Sequence, residues 1–223
     1  MGTFTKDQNN IVETLISVFT VNKGDIEVLL IKNKVDPYKG YCVLPGSILN
    51  NQVTIEDSIT DAVFDQTGLM NVYIEQGPVM SNVNRYPDNR VLAITFLGLV
   101  DSTSVEINRE ERKNIESKWY KLSELPKVGF DHDEIIIRAK DLLRKRIMNI
   151  NILKSLFPSD FTLPEMQKTF EQVLGKSLDR RNFRKKFVSL DLIEETGEYL
   201  EGVCGRPAKL YKFKDNIKQE ELF

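Results

Sequence analysis

The chain has 223 residues, of which 41% are hydrophobic, and a formal net charge of −2. This length allows one large or two modest cores, and the near-neutral charge excludes a uniformly basic nucleic-acid coat. The only cysteines, Cys42 and Cys204, stand far apart in no metal-like spacing, which favours reduced thiols in a cytoplasmic protein. No stretch approaches the roughly 20 apolar residues of a membrane span, so no membrane partner is expected.

The first two thirds of the chain mix predicted strands with two predicted helices. Apolar runs rich in β-branched residues at 12–21 and 26–31 flank Asn22-Lys23-Gly24-Asp25, which is a strong hairpin signal. Helical spacing runs from Thr54 to Thr67, and Gly68 ends that helix. The other predicted elements are strands at 72–83, 90–100 and 118–122, a charged loop at 106–114 and a helix at 131–147.

The last third of the chain has the order of a winged helix. A junction at 148–159 precedes Thr162-Leu163-Pro164-Glu165, a capping box with proline in the first turn. A basic helix at 179–190 follows after Gly175. Alternating runs at 192–196 and 209–213 then predict a hairpin. The basic helix is therefore the second helix of a helix-turn-helix, and the hairpin is its wing.

The basic helix carries five basic side chains and one acidic side chain between Asp179 and Leu190. At 100° per residue, Phe183, Phe187 and Leu190 form one stripe, while Arg181 and Lys185 point the opposite way. Arginine and asparagine match the hydrogen-bonding edges of guanine and adenine. A solvated basic face is the plainer alternative. The candidate DNA-binding residues are Arg180, Arg181, Asn182, Arg184 and Lys185, with Arg206 of the wing facing phosphate.

A second constellation, from Leu44-Pro45-Gly46 to Thr67-Gly68-Leu69, resembles the Nudix box, G-x5-E-x7-R-E-U-x-E-E-x-G-U with U apolar. In Nudix hydrolases the helix glutamates hold divalent cations that activate water. The scaffold residues are present in this chain, but most of the acidic residues are replaced. The box positions read Ser47, Val53, Asp61, Ala62, Asp65 and Gln66. This pattern favours a domain that binds a ligand and does not cut it, with no catalytic residue and no metal or other cofactor.

Four residues of this half are candidate ligand contacts. Asp61 and Asp65 lie one helical turn apart and could hold a weak Mg²⁺, although solvated helix surface is the plainer explanation. Arg85 and Arg90 bracket a turn at 86–89 and are similar to the arginine-rich turn of ADP-ribose-handling relatives, with an ordinary surface hairpin as the alternative.

Together the two halves resemble the NrtR-like family of Nudix-related transcription regulators. The resemblance rests on Phe130-Asp131-His132, on residues 161–163 with Gln167, on residues 179–185, and on Gly205-Arg206-Pro207-Ala208 leading into residues 210–213. It implies a cytoplasmic homodimer that binds palindromic operator DNA and responds to a metabolite, either a pentose or ADP-ribose or another NAD-related compound. Because the altered Nudix box puts a pyrophosphate ligand in doubt, a pentose is slightly favoured as the metabolite.

The sequence therefore predicts an α+β protein: a Nudix-like sandwich of mixed sheet and helices at 1–147, followed by a winged helix at 148–223. The predicted function is a transcription regulator, and more specifically a repressor. One alternative is an active Nudix pyrophosphohydrolase with an appended interaction module, against which the lost glutamates argue. The other is a winged helix that binds protein and not DNA, against which Arg181, Asn182 and Lys185 argue.

Overall fold

Strand β1 (Ile11–Asn22) is the centre of the first half of the molecule. The computed structural model describes residues 10–101, 103, 116–200 and 207–215. In the described residues β1 belongs to a seven-stranded sheet, pairing antiparallel with β2 and β4 and parallel with β6. The other strands of that sheet are β2 (Asp25–Lys32), β3 (Cys42–Val43), β4 (Gly46–Ile48), β5 (Tyr73–Met80), β6 (Val91–Leu99) and β7 (Ser117–Lys121).

Helices cover both faces of this sheet, because the side chains of β1 alternate between two cores. Ile16 and Val18 pack toward helix α1 (Ile55–Thr67), together with Ile59 and Val63 of that helix. Leu15, Phe19 and Val21 pack on the other face, against α2 (His132–Arg146) and α3 (Ile150–Leu156). Helix α1 begins at the predicted cap Thr54 and ends at Gly68, which adopts a left-handed conformation.

The second half has the predicted helix-turn-helix with a hairpin. Helix α4 (Leu163–Leu174) begins with a complete capping box of Thr162 and Glu165, and α5 (Arg180–Ser189) begins at Asp179. Three strands pair in the order β8 (Phe161–Thr162), β10 (Ala208–Phe213), β9 (Ile193–Leu200). The α+β arrangement of a mixed sheet between helices, followed by a winged helix, is thus present as expected from the sequence.

The predicted junction at 148–159 is helical in its middle. It contains α3, capped by Asn149, which accepts a hydrogen bond from the Asn151 N–H. Ile150, Leu153 and Leu156 repeat at helical spacing and are buried. They join the larger core, which also includes residues of α2, α4 and α5. The two halves therefore share one continuous core.

The remaining differences are at element ends. The strand predicted at 72–83 ends at Met80, and the strand predicted at 192–196 continues to Leu200. The loop predicted at 106–114, Cys204 and Arg206 lie outside the described residues. No helix in the described part of the chain is both long and apolar enough to cross a membrane.

Candidate functional site

Helix α5 holds its basic side chains away from the core. Phe183 and Phe187 are buried, with ring centroids 5.5 and 5.2 Å from that of Phe170 on α4, and Leu190 is half-buried. The five predicted DNA-binding side chains of this helix are all exposed: Arg180, Arg181, Asn182, Arg184 and Lys185. None of these side chains makes a hydrogen bond or ion pair with another described residue, so their polar groups are available to a partner.

These side chains divide into two sets. Arg180 and Arg184 line a groove of about 480 Å³ between α5, the start of α4 and the hairpin, whereas Arg181, Asn182 and Lys185 lie outside it. The other lining residues are Leu163, Pro164, Gln167, Phe183, Tyr199, Pro207, Ala208, Lys209 and Tyr211. Lys209 donates to Glu195 at 2.6 Å, so this ammonium is already paired. The groove therefore presents the guanidinium groups of Arg180 and Arg184 over an aromatic floor, and neither group makes a hydrogen bond or ion pair with a described residue. The hydrogen bond from Lys209 lowers the pKa of Glu195, and the charge of Arg184 helps to lower it.

The turn before α5 is fixed by side chains of α4. The Glu171 carboxylate accepts from the Leu178 N–H at 2.7 Å and from the Gln167 amide at 3.0 Å. The same Gln167 amide nitrogen is 2.9 Å from the Leu178 carbonyl oxygen. These bonds lower the pKa of Glu171, the backbone bond from Leu178 contributing most. The sequence drew attention to Gln167 only through the family resemblance, and Glu171 was missed.

In the Nudix-like helix α1, unlike α5, a polar side chain is bonded to the protein's own backbone. The Gln66 amide nitrogen donates to the Gly46 carbonyl at 2.7 Å, and its oxygen accepts from the Gly46 N–H at 3.1 Å. Gly46 has no room for a side chain, since a Cβ would collide with the Thr14 carbonyl oxygen and with Leu15. Gln66 thus ties the Pro-Gly segment to α1, at a position where the Nudix pattern has a metal-binding glutamate.

The donor set of α1 does not fit a Nudix metal site. Asp61 and Asp65 are exposed, and neither makes a hydrogen bond or ion pair with a described residue. Ala62 is buried and Val53 has no donor atom. The described residues contain no cluster of three or more His, Cys, Asp or Glu side chains able to hold a metal ion. Two isolated carboxylates fall short of the six or more oxygen ligands of such cations, unless water supplies most of them.

Arg85 is buried and paired, unlike an ordinary surface hairpin residue. Its Nη1 donates to Glu13 at 2.8 Å, and its Nε and Nη2 donate to Asp131 at 2.6 and 2.9 Å. Tyr86 donates to the other oxygen of Glu13. Burial raises the pKa of Glu13, although the bond from Arg85 opposes that effect. The network joins β1, the 85–86 turn and the start of α2. The sequence indicated Arg85 as a ligand contact and Asp131 only through the family resemblance, and it did not indicate Glu13.

His132 also has a structural role. Its Nδ1 accepts from the Leu44 N–H at 2.9 Å, so it holds the segment that leads into Pro45-Gly46. Its Nε2 is buried with no hydrogen-bond partner among the described residues. Burial lowers the pKa of His132 to about 4. The imidazole is therefore neutral at physiological pH, with the proton on Nε2.

A cluster of aromatic rings lies next to this network. The Phe130 ring is 4.8 Å from Tyr38 and 4.5 Å from Tyr86, and Tyr38 is 5.5 Å from Tyr41. Tyr38 and Tyr41 are exposed by 41% and 36%. Partly exposed rings of this kind can stack on a flat ligand. Their assembly from three loops is not visible in the sequence.

The remaining ligand candidates do not come together with Arg85. Arg90 donates twice to the carbonyls of Ser81 and Asn82, which closes the 81–90 loop. Asp61 lines a separate groove on α1 with Phe64 and Met70, and neither arginine lines it. The four residues Asp61, Asp65, Arg85 and Arg90 are therefore spread over at least two places.

Comparisons with known proteins agree with this geometry. Residues 153–213 match the family model of the NrtR DNA-binding winged helix domain. The ADPR responsive transcriptional repressor NtrR of Acinetobacter baylyi is 27% identical over 203 residues, covering 89% of this chain and 80% of that protein. The crystal structure of Shewanella oneidensis NrtR with a 27mer DNA aligns with a TM-score of 0.75 at 25% identity, over 91% of this chain and 93% of the other.

The chain belongs to the NrtR-like family of Nudix-related transcription regulators. Another relative is the ADP-ribose pyrophosphatase of Methanocaldococcus jannaschii, which is 31% identical over 129 residues, 58% of this chain and 73% of the enzyme. The predicted family and fold class are thereby confirmed. NrtR-like membership also makes the protein a transcription regulator, as the sequence predicted.

Proposed function

We propose that this NrtR-like chain is a DNA-binding repressor whose Nudix-like half senses ADP-ribose without hydrolysing it. The observation that carries the proposal is the exposed face of α5, which offers five polar side chains that have no bonding partner among the described residues. The functional units are 1–147 for sensing and 148–223 for DNA. The protein acts as a cytoplasmic homodimer, because one short helix reads too few bases and specific binding needs two half-sites.

The two sets of α5 side chains have different roles in this proposal. Arg181, Asn182 and Lys185 face base edges in the major groove. Arg180 and Arg184 line the groove beside the hairpin and contact phosphates, as does Arg206 of the wing. Asp179 caps the helix by accepting from the Asn182 N–H at 2.8 Å, which favours this helical geometry before DNA binds.

The effector is proposed from the relatives, one of which is an ADPR responsive repressor and another an ADP-ribose pyrophosphatase. This replaces the preference for a pentose that the altered box suggested. Asp61 and Asp65 remain candidate effector contacts because they are exposed, and Arg90 remains one because it is only half-buried. Arg85 supports the aromatic cluster indirectly, because it binds Asp131, which directly follows Phe130, while its neighbour Tyr86 packs on the Phe130 ring.

Absence of hydrolysis follows from the donor set of α1. Gln66 is committed to Gly46, and Asp61 and Asp65 are single exposed carboxylates. With Mg²⁺ or Mn²⁺, ADP-ribose should yield no AMP or ribose 5-phosphate above a protein-free control. Turnover that Asp65→Ala abolishes would instead establish the pyrophosphohydrolase that the archaeal relative suggests.

DNA binding is tested by selecting duplexes from a random pool with the full-length protein. The selected duplex should contain an inverted repeat and bind a dimer, and ADP-ribose should change its dissociation constant several-fold. Sedimentation measures the stoichiometry. A protein that is monomeric at micromolar concentration with and without DNA, or that selects no sequence, would contradict the proposal.

A further inference from the structure

The turn at 22–25, which joins β1 to β2, lies against helix α4 of the winged helix. The Gln172 amide oxygen accepts from the Ile26 N–H at 3.0 Å, and its nitrogen donates to Asp25 at 2.9 Å. Asp25 also pairs with Lys168 at 2.7 Å and with Lys121 at 2.9 Å. Burial would raise the pKa of Asp25, but the hydrogen bonds from Lys168, Lys121 and Gln172 outweigh it and lower the pKa to about 2.

The fit is close as well as polar. Gly24 has a φ of +78°, and a Cβ placed on it would lie 3.0 Å from both the Cα and the carbonyl oxygen of Glu165. Thr169 is fully buried, with its hydroxyl 3.2 Å from the Gly24 carbonyl oxygen. Glycine is therefore required twice at this position, for the backbone conformation and for the close approach of the turn to α4.

Helix α4 uses separate sides for its partners. Residues 165, 168, 169 and 172, which contact the turn, repeat at helical spacing and form one stripe. Phe170 packs on Phe183 and Phe187 of α5 from another side, and Glu171 holds the backbone ahead of α5. The position of α4 on the turn therefore sets the direction in which α5 points from the sheet.

We propose that the 22–25 turn and Gln172 are a positioning contact that sets the angle between the sheet and α5, and thereby the half-site spacing that a dimer accepts. The inference rests on the proposed DNA binding. The apolar core behind the turn keeps the two halves together. The polar contacts at its rim fix the angle, because hydrogen bonds are directional whereas apolar packing is not.

The test uses the full-length protein and the inverted repeat selected by the wild type. One duplex series moves the half-sites apart or together by about two base pairs, since spacing reflects dimer geometry. A duplex with a single half-site measures α5 alone. The variants are Gln172→Ala, which removes the bonds to Ile26 and Asp25, and Gly24→Ala, which displaces the turn. Gln76→Ala on β5 and Gly40→Ala, where φ is +86° and no atom lies within 4 Å, are matched controls.

The wild type and both controls should prefer the selected spacing by about tenfold or more, as expected for rigid paired half-sites. Gln172→Ala and Gly24→Ala should lower that preference below about threefold while single half-site affinity changes less than about twofold, because the contacts of α5 are kept. Unchanged spacing preference in both variants would overturn the proposal. If the contact served stability alone, the variants would lose affinity for the full repeat and for the single half-site together, and the spacing preference would not change. That result would also count against the proposal.

Failure of the proposed function has a different result. If the wild type selects no duplex, amide hydrogen exchange measured without DNA tests instead whether the 22–25 turn and Gln172 hold α4 in place. Removing the contact should raise exchange about tenfold or more in peptides from α4 and the 22–28 segment, compared with the controls, because a docked element opens locally when its contacts are lost. Peptides from β6 should not change. Equal exchange in α4 for Gln172→Ala and Gln76→Ala would refute the positioning contact by itself.

Discussion

Helices α1 and α5 are built alike and differ in what their polar atoms bind. Each begins at a side-chain cap, Thr54 or Asp179, and each buries an apolar stripe. The polar side of α1 is partly turned inward, because Gln66 bonds to the backbone of Gly46. On α5, in contrast, the exposed side chains of Arg180, Arg181, Asn182, Arg184 and Lys185 make no hydrogen bond or ion pair with another described residue. Caps and apolar stripes thus make a helix, and the partners of its polar atoms decide whether it supports the fold or binds a ligand.

The largest expected effect concerns the buried side of α5. Phe183→Ala should destabilise the winged helix by about 3–5 kcal/mol, since it removes a buried ring from contact with Phe170 and Phe187. Chemical denaturation followed by circular dichroism measures the loss. Val188→Ala on the exposed side of the same helix is the control and should stay within about 0.5 kcal/mol of the wild type. Equal effects would show that the stripe does not anchor α5.

The second prediction concerns the other support of the Pro-Gly segment, His132. Its folded pKa of about 4 lies below the ordinary 6.5, so the unfolded chain binds a proton first as the pH falls. The contribution of His132 is complete above about pH 6.5 and is lost progressively toward about pH 4. Each pH unit between the two pKa values corresponds to about 1.4 kcal/mol, so the contribution of His132 to the free energy of unfolding is roughly 3 kcal/mol.

His132→Asn is the matching variant, because an amide oxygen can accept from the Leu44 N–H without titrating. Urea unfolding of both proteins between pH 7 and pH 4.5 gives the two slopes. The wild type should lose stability more steeply than the variant, and the other titrating groups cancel in the difference. Parallel pH profiles would mean that His132 does not remain neutral in the folded protein.

The sequence predicted elements that depend on neighbours in the chain and missed contacts between distant residues. Thr54, Gly68 and the capping box of Thr162 and Glu165 act within one turn, so their spacing predicts helix ends. Arg85 was noticed, but its partners Glu13 and Asp131 are 72 and 46 residues away in the chain. No periodicity encodes such a pairing.

The junction at 148–159 shows a different limit of sequence reading. Pro158 indicated the junction, but the helix inside it was not predicted, because Ile150, Leu153 and Leu156 repeat over only two turns. A helix this short is marginal alone, and packing against β1 and β6 stabilises it. The candidate DNA-binding residues of α5 were predictable because the helix carries its own stripe and cap. The aromatic cluster at Tyr38 and Phe130 was not, because three loops build it.

The third prediction concerns the polar side of α1. Gln66→Glu replaces the donor to the Gly46 carbonyl with a carboxylate, leaving two oxygens facing each other at the present 2.7 Å contact. The loss should be about 1–3 kcal/mol, the cost of an unmet buried hydrogen bond. Asp65→Asn is the control, since Asp65 is exposed and has no bonded partner among the described residues. Thermal melting that ranks the two variants alike would mean that Gln66 does not support the segment.

The last prediction separates the two sets of side chains on α5. Arg181→Ala and Asn182→Ala should cost about 1–3 kcal/mol on the selected repeat and little on scrambled duplex, because base contacts carry the sequence information. Arg180→Ala and Arg184→Ala should weaken both duplexes alike and reduce the salt dependence by about one unit each, because each releases fewer counterions. The two pairs of variants are expected to differ because, of these four residues, only Arg180 and Arg184 line the groove beside the hairpin.

Fluorescence anisotropy titrations at several salt concentrations measure both quantities. Arg138→Ala on α2 is the control. It removes a guanidinium that is exposed and lies far from α5 in the chain, and whose ion pair is with Glu134 of its own helix. If all four α5 variants weaken both duplexes equally, the helix only holds the DNA backbone. All exposed polar side chains of α5 would then bind phosphate. In that case α5 would differ from α1 in the charge it presents, and it would not recognise the base sequence.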